Sequence, residues 1–140
     1  MNLGEIRQSY IEDGLDYENA SAKAAQDVVL KMISSSSLAA KVTIKGGVLI
    51  QHLSRHSRRA TLDIDFDFLR YSLSDDSILR FIKTLNEGSD SFFIEATKGI
   101  EELKHKDYSG KRVYVRISDS EGNTVQTKLD IGVHKDIGLR

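Results

Sequence analysis

Three carboxylates at two-residue spacing inside an apolar run are the residues best suited to chemistry in this chain. Asp63, Asp65 and Asp67 alternate with large apolar side chains between Thr61 and Phe68. In a strand the three aspartates share one face, where like charges repel and Asp is disfavoured. A divalent cation would offset that cost, because carboxylate oxygens are ligands that Mg²⁺ and Mn²⁺ prefer. A solvated acidic face on an amphipathic strand is the alternative, and the strand alone leaves it open.

A glycine pair upstream is a candidate phosphate site. Residues 41–45 alternate as a short strand does, Gly46 and Gly47 follow, and residues 48–53 suit a short helix. A backbone of this kind can approach a phosphate closely and point helix N-terminal amides at it. A tight turn explains the same two glycines, so both interpretations stay open.

The loop of residues 54–60, which leads into the acidic strand, carries the densest positive charge of the chain. Its cations are Arg55, Arg58 and Arg59. The loop either guides a polyanion or is a solvated surface. His52 and His56 are four residues apart, but no glutamate lies between them in the zinc-protease arrangement, which disfavours metal ligation.

A later strand offers a further carboxylate. Residues 111–117 and 124–133 alternate polar and apolar side chains around a turn at residues 120–123, which predicts a hairpin. Val125, Thr127, Leu129 and Ile131 share one face of its second strand. Asp130 therefore lies on the other face, as a candidate third acid.

The elements that would position these acids indicate an α+β (α/β) fold. Apolar residues recur at helical spacing from Ala25 to Ile33, with Asn19 or Ser21 as the cap, and again from Ile78 to Leu85 behind Ser74. Residues 4–12 suit a third, short helix. We expect a mixed sheet of about four or five strands with the helices packed mainly on one face.

Composition bounds the class of protein. The chain has 140 residues, 39% hydrophobic and 29% charged, with a net charge of −1 and no cysteine, which is typical of one soluble domain. The charge argues against a broad basic surface for nucleic acid, and the lack of cysteine excludes thiolate chemistry. Neither a signal peptide nor a run of membrane-spanning length is present, so we expect a cytoplasmic protein without a membrane partner.

Taken together, these motifs resemble the AbiEii/AbiGii toxin family, a branch of the nucleotidyltransferases that share the DNA polymerase beta catalytic fold. The resemblance rests on Lys45-Gly46-Gly47, on residues 59–65 (Arg-Ala-Thr-Leu-Asp-Ile-Asp) and on the isolated strand acid Asp130. It covers roughly residues 25 to 133, and the combination is far more specific than any single piece.

The resemblance implies roles for individual residues. Asp63, Asp65 and Asp130 would be the catalytic acids and would hold Mg²⁺ or Mn²⁺, and Asp130 could also accept the proton of the acceptor hydroxyl. The nucleotide would contact five other residues, namely Lys45, Gly46, Gly47, Arg59 and Thr61. For Arg59 an ion pair with a carboxylate of the same site is the alternative to a phosphate contact. Asp67 becomes a flanking acid.

Two features depart from the family pattern. Val48 follows the glycines where many relatives have a hydroxyl residue, and a C-terminal helical region that completes the site in longer relatives is not expected here. The 140 residues are thus predicted to form a single nucleotidyltransferase-like catalytic core.

The resemblance implies transfer of a nucleoside monophosphate from a nucleoside triphosphate to a hydroxyl of an RNA or protein acceptor. The setting would be toxin-antitoxin or phage defence (abortive infection), with a cognate antitoxin as partner. A catalytically inactive module of the same fold, which binds a nucleotide or a partner, is the alternative. A phosphoesterase with similar acids is a third.

Overall fold

The part of the chain that the structure describes folds as three α-helices beside one mixed sheet, an α+β arrangement. The computed structural model describes residues 1–44, 48–49, 64–68, 73–105 and 108–133. Within these ranges the helices are α1 (Leu3–Glu12), α2 (Tyr17–Ser34) and α3 (Asp75–Glu87), with a 3-10 turn at Ala39–Lys41. The strands are β1 (Val42–Ile44), β2 (Val48–Leu49), β3 (Ile64–Phe68), β4 (Phe92–Ala96), β5 (Glu101–His105), β6 (Tyr108–Asp119) and β7 (Thr124–Val133). None of the helices in the described ranges has the length and apolarity needed to cross a membrane.

The sheet brings the two acid-bearing strands next to each other. The strand order is β2-β1-β3-β7-β6-β4, and β5 pairs with the first half of β6, on residues 108–112. Strands β6 and β7 form the predicted hairpin, and its turn contains Gly122 at a φ of 86°, a conformation that favours glycine. Strands β3 and β7 run parallel, whereas the other pairings among the described residues are antiparallel.

Helix ends are fixed by side-chain caps. Asn2 and Glu5 form a capping box at the start of α1, and the hydroxyl of Ser74 accepts the Ser77 amide at 3.2 Å, which confirms the predicted cap of α3. The predicted cap of α2 at Asn19 or Ser21 is wrong. The helix begins earlier because Asp16 accepts the Asn19 amide at 2.8 Å.

The core lies on one face of the sheet, where the helices pack. Helix α2 buries its predicted apolar stripe, and α3 buries Ile78, Phe81, Ile82 and Leu85 against the same cluster. The sheet contributes alternate residues to it, namely Ile94, Val113, Val115, Ile117, Val125, Leu129 and Ile131. The polar residues between them, Asp130 included, therefore lie on the opposite face, called the helix-free face because none of the described helices packs on it.

The described sheet has seven strands rather than the expected four or five. Val48 and Leu49 do not begin a helix as predicted, because they pair with Ile44 and Thr43 of β1 and so satisfy the backbone of that short strand. The rest of the predicted helix lies outside the described residues. Strand β5 (Glu101–His105), which the sequence pattern does not predict, pairs with β6.

Candidate active site

Asp65 and Asp130 are direct neighbours across the sheet. In the parallel pairing of β3 with β7, position 65 is the register partner of position 130. Register partners belong to the same face of a sheet. The strand pairing thus brings two of the three predicted acids to one place on the helix-free face.

The Asp130 carboxylate is held by an arginine on the other neighbouring strand. Arg112 is the register partner of Asp130 on β6, and its guanidinium donates from Nε to Oδ1 at 2.8 Å and from Nη2 to Oδ2 at 3.0 Å. The two parallel bonds fix the plane of the carboxylate. The hydrogen bond and the charge of Asp130 raise the pKa of Arg112 above its ordinary value, and burial only partly opposes them.

Basic and aromatic residues lie beside Arg112 and Asp130 on the same face of the sheet. Lys128 is the register partner of Tyr114, one same-face step along β7 from Asp130. The Lys98 ammonium lies 4.8 Å from the centroid of the Tyr114 ring, a cation–π distance. Together with Thr97, Val115, Gln126 and Thr127, these residues line a cavity of about 290 Å³. One further step along, Arg116 pairs with Glu95 at 2.7 Å.

Most of this chain matches the model of one protein family. Residues 28–138 match the nucleotidyl transferase AbiEii toxin of type IV toxin-antitoxin systems. The chain belongs to this family. The match spans α2 from its second half through β7, and so includes the paired strands β3 and β7. No match was found among the curated proteins.

Membership confirms the family expected from the sequence and gives the general activity. The AbiEii family is one of toxin nucleotidyltransferases that act in type IV toxin-antitoxin systems, which implies a nucleoside triphosphate substrate and a cognate antitoxin. The general transferase role therefore rests on the whole matched domain rather than on one motif.

The structure describes only part of the predicted AbiEii site. Asp67 is half-buried in β3, opposite Gly132 of β7 rather than opposite an acid. Six further predicted residues lie outside the described ranges: Lys45, Gly46, Gly47, Arg59, Thr61 and Asp63. The arginine-rich loop and the pair His52 and His56 lie outside them too. The assignments of these residues stay predictions.

The described donors fit the chemistry of a hard divalent cation. Asp130 offers carboxylate oxygens, and its register partner is a second aspartate, which suits Mg²⁺ or Mn²⁺ better than softer metals. Within the described residues no group of three or more histidine, aspartate or glutamate side chains forms a complete metal site. The third predicted ligand, Asp63, is among the residues not described.

Arg112 is the residue of this site that sequence reasoning missed. It was only one of several cations in an alternating strand. Its signal lies in the hairpin: once Ser118 is paired with Thr124 beside the turn, counting back along both strands places Arg112 opposite Asp130. An arginine directly opposite a strand carboxylate is an informative pair, because cross-strand partners of opposite charge interact.

Proposed function

We propose that this chain transfers a nucleoside monophosphate from a nucleoside triphosphate to a hydroxyl of an acceptor, RNA or protein, with Asp63, Asp65 and Asp130 as the metal-binding acids. The observation that carries the proposal is the register pairing of Asp65 with Asp130 in a member of the AbiEii family. Two neighbouring acids on one face repel each other, and a bound divalent cation would offset the part of this cost that the ion pair of Asp130 with Arg112 does not.

In the proposed reaction the acceptor oxygen forms a bond to the α-phosphorus, and the bond between that phosphorus and the bridging oxygen breaks to release pyrophosphate. When bound, Mg²⁺ or Mn²⁺ would neutralise charge at the phosphates and lower the pKa of the acceptor hydroxyl. Asp63, Asp65 and Asp130 would hold the metal, and the hydroxyl proton would pass to Asp130 or to solvent. Gly46 and Gly47 would contact the triphosphate through backbone amides, as the family resemblance implies, and no protein nucleophile is needed.

The helix-free face supports an acceptor that carries phosphate. Lys98 lies over one face of the Tyr114 ring, and Lys128, the register partner of Tyr114, lines the same cavity one register step from Asp130. Ammonium groups attract phosphates, and an aromatic ring stacks on unpaired bases, which are the features by which single-stranded RNA ends are recognised. This favours RNA over protein as the acceptor.

A transfer assay tests the proposal. The protein is incubated with each α-labelled triphosphate, Mg²⁺ or Mn²⁺, and total RNA or cell extract, and label on RNA or protein is resolved on gels. We expect transfer by the wild type and its loss in Asp65→Asn and Asp130→Asn. Label transfer that persists in both variants would show that the assigned site is wrong. Triphosphate binding without transfer by the wild type would identify the inactive binding module instead.

A further inference from the structure

One row of paired positions crosses four strands at the candidate site. Glu101 on β5 pairs with Arg112 on β6, Arg112 with Asp130 on β7, and Asp130 with Asp65 on β3. Of these four positions three are acidic, and the arginine lies between them. Its charge therefore acts on the same small region in which a divalent cation would bind.

The guanidinium of Arg112 hydrogen-bonds to Asp130 rather than to Glu101. Both Asp130 oxygens accept from it, at 2.8 and 3.0 Å, whereas Glu101 accepts from the Tyr114 hydroxyl at 3.2 Å. The Arg112 and Asp130 side chains are 27% and 18% exposed, so solvent screens this pair less than the pair of Arg116 and Glu95, at 41% and 43%.

This ion pair has two consequences for a cation at Asp130. A carboxylate has about four acceptor positions, so two bonds from Arg112 leave lone pairs available to a metal ion. The positive charge of Arg112 at the same time weakens the attraction of the carboxylate for a second cation. Arg112 thus fixes the orientation of the Asp130 carboxylate and lowers the affinity of that carboxylate for a divalent cation.

We propose that Arg112 is a positioning residue that sets the metal affinity of this site, holding the Asp130 carboxylate in one orientation while keeping divalent cations weakly bound. The inference rests on the proposed function, because it takes Asp65 and Asp130 as metal ligands. Weak binding in the free protein makes occupancy of the site depend on the triphosphate, whose oxygens complete the coordination of Mg²⁺.

Mn²⁺ titration of the full chain without nucleotide, followed by electron paramagnetic resonance, tests the inference. Arg112→Gln removes the charge, and we expect it to bind Mn²⁺ roughly three- to tenfold more tightly than the wild type. Its kcat for transfer is expected to fall by about 10- to 100-fold, because the carboxylate is no longer held. A residue that merely supported the fold would weaken metal binding and transfer together.

Two further variants separate charge from geometry. Arg112→Lys keeps the charge but not the planar fork, so Mn²⁺ affinity should stay within about twofold of wild type while kcat falls. Arg116→Gln breaks a similar ion pair on the same strand and face, and it should change neither quantity.

The outcomes distinguish this inference from the proposed function. Wild-type or weaker Mn²⁺ affinity in a folded Arg112→Gln protein would overturn the role of Arg112. If that variant does not fold, a change of more than about threefold in the affinity of Arg112→Lys would overturn it as well. Mn²⁺ binding that survives in Asp65→Asn and Asp130→Asn would instead overturn the proposed metal site, and the inference with it.

Discussion

Asp65 and Asp130 are register partners on the parallel strands β3 and β7, the point at which two distant parts of the chain meet. A shift of β3 by one residue would turn its side chains to the other face of the sheet and separate the two acids. The apolar alternation of β7, with Leu129 and Ile131 in the core, therefore fixes the face on which Asp130 lies. Core packing and the candidate site depend on the same register.

The first prediction is that Asp65 and Asp130 act as one unit. Asp65→Asn and Asp130→Asn should each lower the single-turnover rate of transfer by at least roughly 100-fold, and the double variant should be no worse than either. Asp67→Asn is the matched control, because it removes a charge from the same strand at a position opposite Gly132. It should cost less than about tenfold. Additive losses in the double variant would mean that the two acids act independently.

The second prediction concerns metal and stability. At a Mg²⁺ concentration about ten times Kd, binding to the native state adds about 1.4 kcal/mol to the free energy of unfolding, a rise of roughly 3–6 °C in Tm. Differential scanning fluorimetry of wild type and Asp67→Asn should show this rise, and a chelator should reverse it. In Asp130→Asn the rise should be absent. An equal rise in that variant would place the stabilising ion elsewhere.

The third prediction concerns the acceptor surface. Exchange of Lys98 and Lys128 for glutamate reverses two charges beside Tyr114, so the KM for an RNA acceptor should increase by about tenfold or more while triphosphate affinity changes little. Lys83→Glu, which reverses the charge of one exposed lysine on α3, is the control for a charge reversal away from the cavity. Steady-state transfer to a labelled RNA, with the RNA and the triphosphate varied in turn, measures the KM for the RNA and the dependence on triphosphate. An unchanged KM in the double variant would exclude this cavity as the RNA site.

Much of this fold could be predicted from the sequence, because the alternation and the helical spacing of apolar residues are direct consequences of burial. The hairpin, the buried face of β7 and the helix behind Ser74 follow from local patterns alone. Parallel pairing of β3 with β7 does not, because strands distant in sequence are joined by the packing of the whole core. That pairing is what makes Asp65 and Asp130 neighbours.

The other differences have local causes. The start of α2 was missed because Asp16, Asn19 and Ser21 are all good N-caps, and spacing alone does not select among them. Strand β2 was missed because two residues are too few for a pattern of period two to be visible. Arg112 was overlooked because its partner is defined by hairpin register and not by a motif.

The fourth prediction concerns the edge strand β4. The Asn86 side chain donates from Nδ2 to the Ile94 carbonyl and accepts from the Ile94 amide at its Oδ1, both at 2.8 Å, as a neighbouring strand would. Asn86→Ala should lower the free energy of unfolding by about 2–3 kcal/mol, because it leaves an amide and a carbonyl of β4 unpaired. Urea denaturation measures the loss.

The uncovered edge should also promote self-association, which sedimentation would detect. Glu87→Ala, an exposed neighbour in the last turn of α3, is the control and should change stability by less than about 0.5 kcal/mol. Equal losses in the two variants would mean that Asn86 contributes through the helix and not through β4.

The fifth prediction concerns Asp119, which joins α1 to the hairpin turn. Its carboxylate accepts the Leu3 amide at 2.7 Å, the Glu121 and Asn123 amides at 2.9 Å, and Asn123 Nδ2 at 3.0 Å. Burial alone would raise the pKa of Asp119, but these hydrogen bonds outweigh it and hold the pKa below its ordinary value. The unfolded chain therefore binds the proton more tightly than the folded protein.

It follows that the stability contributed by Asp119 is fully present above about pH 4, the ordinary range of aspartate, and is lost as the pH falls through the lowered pKa. Asp119→Ala should cost about 2–3 kcal/mol at pH 7 and should flatten the decline in stability below pH 4. The exposed Asp90→Ala variant should keep the wild-type profile. Urea denaturation between pH 2 and 7 decides the matter, since an unchanged acid slope in Asp119→Ala would assign the pH dependence to other carboxylates.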